Sequence, residues 1–263
     1  SVIVLGGTDL AAYGGGEGQL SLLGTAGARG LFSTPDILMG PGFGYLQWDG
    51  GILQARRDET EFFKNFAIGN IAIGNGGAFF DTNGFNVASN MSGIMVGSGG
   101  FTKLGAGTLD LAGGNSWNGD TAVLAGTLIL DSYSQTGGQS LTIGVADSTN
   151  YGKLSVGGAA NFANGNLIVD VIGSPVLANN ATLAGVVTAG ALTASGFTVA
   201  DNSALFDFTA SIVGNSVDLN VITTSAGTTV YSSVLNNQLY PALGAAGVLD
   251  TQIQGAPTGD MAN

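Results

Sequence analysis

The 263 residues contain no cysteine and no histidine. Without thiols there is no disulfide framework and no thiolate metal site. Losing imidazole as well removes the usual zinc ligands, the usual neutral-pH general base, and the Ser-His and Cys-His nucleophile pairs. Charge is almost as scarce: Lys, Arg, Asp and Glu make up 9% of the chain, against roughly 25% in an average soluble domain. The six basic residues, Arg29, Arg56, Arg57, Lys64, Lys103 and Lys153, leave a net charge of −12. That balance repels phosphate backbones and anionic lipid surfaces, so nucleic acid is not expected as a partner. No apolar run approaches the ~20 residues of a membrane helix, and direct membrane insertion is not expected. No charged start followed by an apolar stretch marks a signal peptide, so the sequence is expected to begin after processing or inside a longer product.

What is abundant is glycine, 46 residues, which predicts many backbone corners. Apolar residues make up 44%, enough to bury a large core and to argue against disorder. Ser, Thr and Asn alternate with Val, Ile and Leu, the pattern of a pleated surface with one dry and one wet face. No heptad or long amphipathic helix is visible.

The chain repeats itself. Ala-Gly-Thr-Leu-x-Leu occurs at Ala106–Leu111 and again at Ala125–Leu130, nineteen residues on. Leu109 and Leu111, then Leu128 and Leu130, fall on alternate positions and so on one face of an extended strand. Gly113 to Gly119 lies between, rich in residues that turn the backbone. Strand, corner and strand at nearly fixed spacing predict a solenoid. Downstream the step changes, and Leu128, Leu141, Leu154 and Leu167 follow each other every thirteen residues. Spacing alone also suits a sandwich or barrel. For a solenoid with roughly 20 to 25 residues per coil, about ten to thirteen coils would stack. With ~4.8 Å between strands, the rod would be roughly 50 to 60 Å long.

Several segments invite a chemical reading. Arg56 to Lys64 holds six of the 24 charged residues, with Glu59 and Glu61 as a conceivable acid and base. The alternative, which we favour, is a solvated segment with locally paired charges whose Phe62, Phe63 and Phe66 plug the interior. Phe62, Phe63, Phe66, Phe79, Phe80 and Phe85 would suit a sugar-binding platform, but stacked coils readily form internal aromatic ladders. Asp81-Thr82-Asn83-Gly84 is interrupted relative to an aspartic-protease Asp-Thr-Gly and has no second copy, so it reads as a turn. Gly14 to Gly18 resembles a single calcium-binding nonapeptide with Glu17 as its acidic residue, without iteration. Gly152-Lys153 is followed by Leu154, not Ser or Thr, which rules out a phosphate loop. Asn90 and Asn180 begin chance glycosylation sequons. No catalytic, cofactor-binding or metal-ligating residue is assigned, and no cofactor is expected.

The stretch from Gly99 to Leu130 resembles the passenger-associated transport repeat of bacterial type V autotransporters. The matching positions are Gly99, Gly100, Thr102, Lys103, Gly105, Gly107, Thr108, Leu109, Asn115, Trp117, Gly119, Thr121, Val123, Ala125, Gly126, Thr127 and Leu128. Phe80 to Phe85 is similar to the segment that often precedes such a repeat, and Gly185–Ser195, Phe197–Leu205 and Asn215–Leu219 resemble the end of a passenger. The resemblance covers about Trp48 to Asn263. It implies an all-β fold, a right-handed parallel β-helix. Residues 1–180 would be coils, 181–235 a C-terminal cap with an autochaperone-like role, and 236–263 a linker toward a translocator barrel absent from this sequence. It also implies a non-enzymatic stalk at the extracellular or outer-membrane surface of a Gram-negative bacterium. Its partners would be its own translocator barrel and either host or bacterial surface molecules or further copies of itself. The absence of cysteine would then suit passage through a narrow barrel unfolded. Two other functions are compatible with a β-helix: a polysaccharide lyase or hydrolase, and a structural filament or surface-layer subunit.

Overall fold

The computed structural model describes residues 3–5, 17–40, 42–89, 93–163, 165–173 and 175–223. Among them there is no helix. Short strands separated by corners wind into a parallel β-helix, each strand pairing with its counterpart one winding later.

A complete winding has three sides. Ile71–Ile73, Ala78–Asp81 and Val87–Ala88 make one, and Met95–Gly97, Phe101–Leu104 and Thr108–Asp110 the next. The first face is the longest stack, eight parallel strands from Leu31–Thr34 to Thr198–Asp201. The second face runs from Val87–Ala88 through Thr108–Asp110, Thr127–Leu130 and Lys153–Phe162 to Thr182–Ala194. Thereafter its pairing changes: Ser216–Thr223 lies antiparallel to Thr182–Ala194, and Phe206–Val213 antiparallel to Ser216–Thr223. The third face stacks Glu17–Thr25, Phe43–Asp49, Ile71–Ile73 and Met95–Gly97 in parallel. There it breaks. The equivalent segment of the next winding, Asn115–Asn118, is a loop held to Met95–Gly97 by separate hydrogen bonds. Regular pairing resumes only at Tyr133–Gln135, which stacks on Ala160–Phe162.

In-register stacking converts the sequence repeat into continuous interior columns. On the second face Val87, Leu109, Leu128, Leu154 and Val187 are successive partners, each 2% exposed or less. The nineteen-residue repeat is therefore one winding. The thirteen-residue step is half of one, because Leu128 and Leu154 pair on the second face while Leu141 and Leu167 pair on the first. Removing one of these leucines to alanine would cost about 2–5 kcal/mol, since rigid neighbours on both sides leave a cavity. Glycine is required where corners touch. Gly107 and Gly126 precede the two Thr-Leu strands, and a Cβ on either would overlap backbone of the preceding winding, at Phe85 and Gly107.

The expectation of ten to thirteen windings is corrected downward for the described residues. Eight strands on the first face span seven spacings of ~4.8 Å, about 34 Å. Successive partners on that face are 20 to 32 residues apart, from Phe101 and Thr121 to Asn166 and Thr198. The step is uneven, shortest at the transport repeat and longest between Asn166 and Thr198, and the antiparallel strands add no winding.

Candidate functional site

Among the described residues the main sequence candidates fall at three places: the charged segment around residues 56–64, the aromatic interior beside it, and the corner after Lys103. The first is an ion cluster. Pro35 and Asp36 turn the chain between Leu31–Thr34 and Ile37–Met39, and this turn buries the Asp36 carboxylate, 3% exposed. One Asp36 oxygen accepts from Arg57 at 2.9 Å and from Lys64 at 2.7 Å, one winding later. Arg57 and Lys64 also meet Glu59, at 2.6 and 3.5 Å. Two cations thus balance two anions. Partial burial works to raise the Glu59 carboxyl, but the hydrogen bonds from Arg57 and the Glu61 amide, with the charge of Lys64, outweigh it and hold it below its ordinary value. A general acid needs the opposite shift. Glu61 lends Glu59 only its backbone amide, at 3.2 Å, and its own side chain is exposed.

The phenylalanines divide. Phe62, Phe63, Phe66 and Phe80 are 2% exposed or less. They pack edge-on, with centroids 5.1 Å apart for Phe62–Phe63 and Phe62–Phe80. The ladder continues through Trp48 to Phe101 and on to Trp117, which stacks on Phe101 at 4.8 Å. Phe85 packs partly buried against the core, and Phe79 lies under the Arg29 guanidinium at 3.5 Å. This is an interior column and offers no flat exposed platform.

The third place lies within the repeat. Strand alternation directs Phe101 and Lys103 inward together, and Lys103 occupies an interior column between Phe80 and Val123. It is fully buried. Its ammonium bends to the corner and donates to Gly105 at 2.7 Å, Ala125 at 3.0 Å, Leu104 at 3.1 Å and the Thr82 hydroxyl at 3.2 Å. These acceptors come from three consecutive windings. Burial pushes the Lys103 ammonium down to about 7, opposed by the nearby Asp81 charge. Asp81, Thr82, Asn83 and Gly84 form the adjoining turn. The Asp81 carboxylate accepts from the Asn83 amide at 2.8 Å, and Asn83 and Gly84 adopt φ of 52° and 84°. That carboxylate is a turn former, also bound by Gln54 at 2.8 Å.

Lys153 lies on a second-face strand with its ammonium 4.9 Å from the Tyr151 ring. Asn180 takes a left-handed turn conformation with φ of 61°. Gly14 to Gly18 except the strand residues Glu17 and Gly18, and Asn90, lie outside the described residues. Sequence reasoning did not single out Asp36 or the burial of Lys103. A signal existed for the lysine: in Phe101-Thr102-Lys103-Leu104 it shares the phase of the buried Phe101. Asp36 gave none, since its partners arrive from 21 to 28 residues away.

A family model for the passenger-associated transport repeat matches residues 101–130. The adhesin BmaC autotransporter of Brucella suis biovar 1 (strain 1330) is 35% identical over 122 residues, covering 46% of this chain and 3% of that protein. The chain therefore spans a small fraction of that relative's length. No solved structure matches.

Proposed function

We propose that this chain, a segment of an autotransporter passenger, is a non-enzymatic β-helical stalk displayed at the outer surface of a Gram-negative bacterium, where it contributes to adhesion. The observation that carries this reading is the transport repeat itself. It supplies two windings in register, and the interior lysine ties them to the winding before. A stack of this kind is assembled from neighbour contacts alone. It suits a chain that passes a barrel unfolded and gains structure as each winding docks.

The same reading assigns roles to the segments around it. Residues 1–180 are stalk. Residues 181–235 act as cap and folding template, supported up to residue 223 by the switch to antiparallel pairing, which ends the parallel stack. Residues 224–263 are outside the described set; the stretch 236–263 is assigned as linker to the translocator barrel, the partner in export. Adhesion is a property carried by the name of the Brucella relative. Here the receptor is a host or bacterial surface molecule, or another copy.

The test is display. Fused to a translocator barrel in a Gram-negative host, the chain should become accessible to externally added protease or antibody and should raise cell adherence above that of barrel-only cells. Failure to reach the surface would overturn the export reading. Surface exposure without any gain in adherence would overturn the adhesive one. Refolding with 181–235 deleted tests the template: unchanged yield and rate would contradict it.

A further inference from the structure

The break in the third face leaves a cleft. Where Met95–Gly97 would be followed by another strand, the chain runs as the loop Asn115–Asn118, and among the described residues no ladder joins that loop to Tyr133–Gln135. The latter is paired on one side only, to Ala160–Phe162. Between loop and strand lies a cavity of about 280 Å³. It shares Asn118, Thr136 and Gln139 with an adjoining hollow of about 560 Å³ that continues toward Gly137 and Gly138.

The walls of the cleft are fixed. Trp117 stacks on Phe101, and its indole N–H donates to the Thr121 hydroxyl at 2.8 Å. Tyr133 packs against Phe162 at 5.3 Å, with its hydroxyl beside Thr121. The buried Thr121 therefore anchors the indole and lies between the two rings. Gln139 braces the rim, donating to Asn118 and Gly119 carbonyls at 2.8 and 3.2 Å and accepting from the Thr136 amide at 2.7 Å. Ser116, Asn118, Ser132 and Ser134 line the same space, exposed, and among the described residues their side chains make no hydrogen bond.

This inventory selects a ligand class. Serine hydroxyls and an asparagine amide both donate and accept, which matches groups that do the same. No cation lines either hollow, and Asp120 borders the outer one. An anionic ligand meets repulsion, strengthened by the net charge of −12. An added peptide strand would find an edge of only three residues, short of the usual five to six. We propose that the cleft between Asn115–Asn118 and Ser132–Gln139 binds a neutral oligosaccharide, with Trp117 and Tyr133 as its aromatic walls and Ser116, Asn118, Ser132 and Ser134 as its hydrogen-bonding groups. The proposal deepens the adhesive reading by naming its ligand class, and it rests on that reading only for its biological role.

Tryptophan emission reports on the cleft, because the chain has two tryptophans and Trp48 is fully buried. The whole chain is titrated with lactose, N-acetyllactosamine, chitobiose and maltotriose, with 3′-sialyllactose and trigalacturonate as anionic controls. Ligand-observed NMR runs in parallel. At least one neutral sugar should give a saturable response, and the anionic controls a weaker one. Asn118→Ala and Ser134→Ala should each weaken binding roughly five- to tenfold, one hydrogen bond apiece. Ser132→Trp, which fills the space, should abolish it. A folded wild-type chain with no saturable response to any neutral sugar would overturn the proposal, as would equal binding by all three variants, or saturable binding of a seven-residue extended Ser/Thr peptide in place of the sugars. Adherence of displaying cells keeps the two readings apart. Adherent cells without sugar binding defeat the cleft and leave the adhesive stalk standing; sugar binding by non-adherent cells leaves the cleft standing and defeats the adhesive role.

Discussion

Lys103 in the transport repeat and Asp36 beneath the charged segment are both withdrawn from water, yet the chain satisfies them by opposite means. Among the described residues Lys103 makes no ion pair, and it is held by backbone carbonyls and one hydroxyl from three windings. Asp36 is held by two side-chain cations, one of them half exposed, and among the described residues its second oxygen has no hydrogen-bond partner. The contrast follows from local geometry. Tight corners with a 20-residue step turn several carbonyls toward one point, whereas the longer 52-to-79 step leaves room for a loop that brings its own charges. A clamp made of backbone belongs to the fold itself; a clamp made of side chains can rearrange.

Substitution should expose that difference. Lys103→Met keeps the volume but leaves the Gly105 and Ala125 carbonyls without their ammonium donor, and should lower unfolding free energy by about 2–4 kcal/mol in denaturant titrations. A loss under 1 kcal/mol would mean the corner is held by stacking alone. The same residue predicts a pH dependence. Its folded-state value near 7 lies below the ordinary 10.5, so between those values the unfolded chain binds the extra proton. Stability should therefore rise with pH across that window by at most about 1.4 kcal/mol per unit, and be flat below it. Comparing wild type with Lys103→Met at each pH isolates this slope, which the variant should lack.

Asp36→Asn should cost less, about 1 kcal/mol, because Arg57 and Lys64 can turn toward water or Glu59. A loss as large as that of Lys103→Met would erase the distinction between the two clamps. Glu61→Gln should change stability by less than about 0.5 kcal/mol, as expected for an exposed side chain. It should leave any glycan turnover untouched, and loss of such turnover with unchanged stability would revive an enzymatic role for the segment.

Much of this architecture was legible in the sequence. The duplicated Ala-Gly-Thr-Leu announced stacked strands because identical neighbours in a solenoid keep identical surroundings, and Leu109 does pair with Leu128. The plugging phenylalanines were legible for the same reason. The thirteen-residue step was harder: it crosses from one face to another, and only three-dimensional pairing reveals it as half a winding. Fewer windings stand among the described residues than the spacing predicted, because the last described strands turn to antiparallel pairing, which leaves no trace in a strand-alternation pattern. Asp36 and the cleft were invisible for a shared reason. Each depends on which segments 20 or more residues apart come to lie side by side.

The central claim is that windings stack in the register of the repeat, and the absence of native cysteine allows a direct test. Thr108 and Thr127 are partners on the second face, alternating with the buried Leu109 and Leu128. Thr108→Cys with Thr127→Cys should form an intramolecular disulfide almost completely under mild oxidation. Thr108→Cys with Ile129→Cys, two residues out of register, should not, since Cα atoms more than about 7 Å apart cannot be bridged without backbone movement. Equal cross-linking of both pairs, or none in the first, would contradict the stacked β-helix.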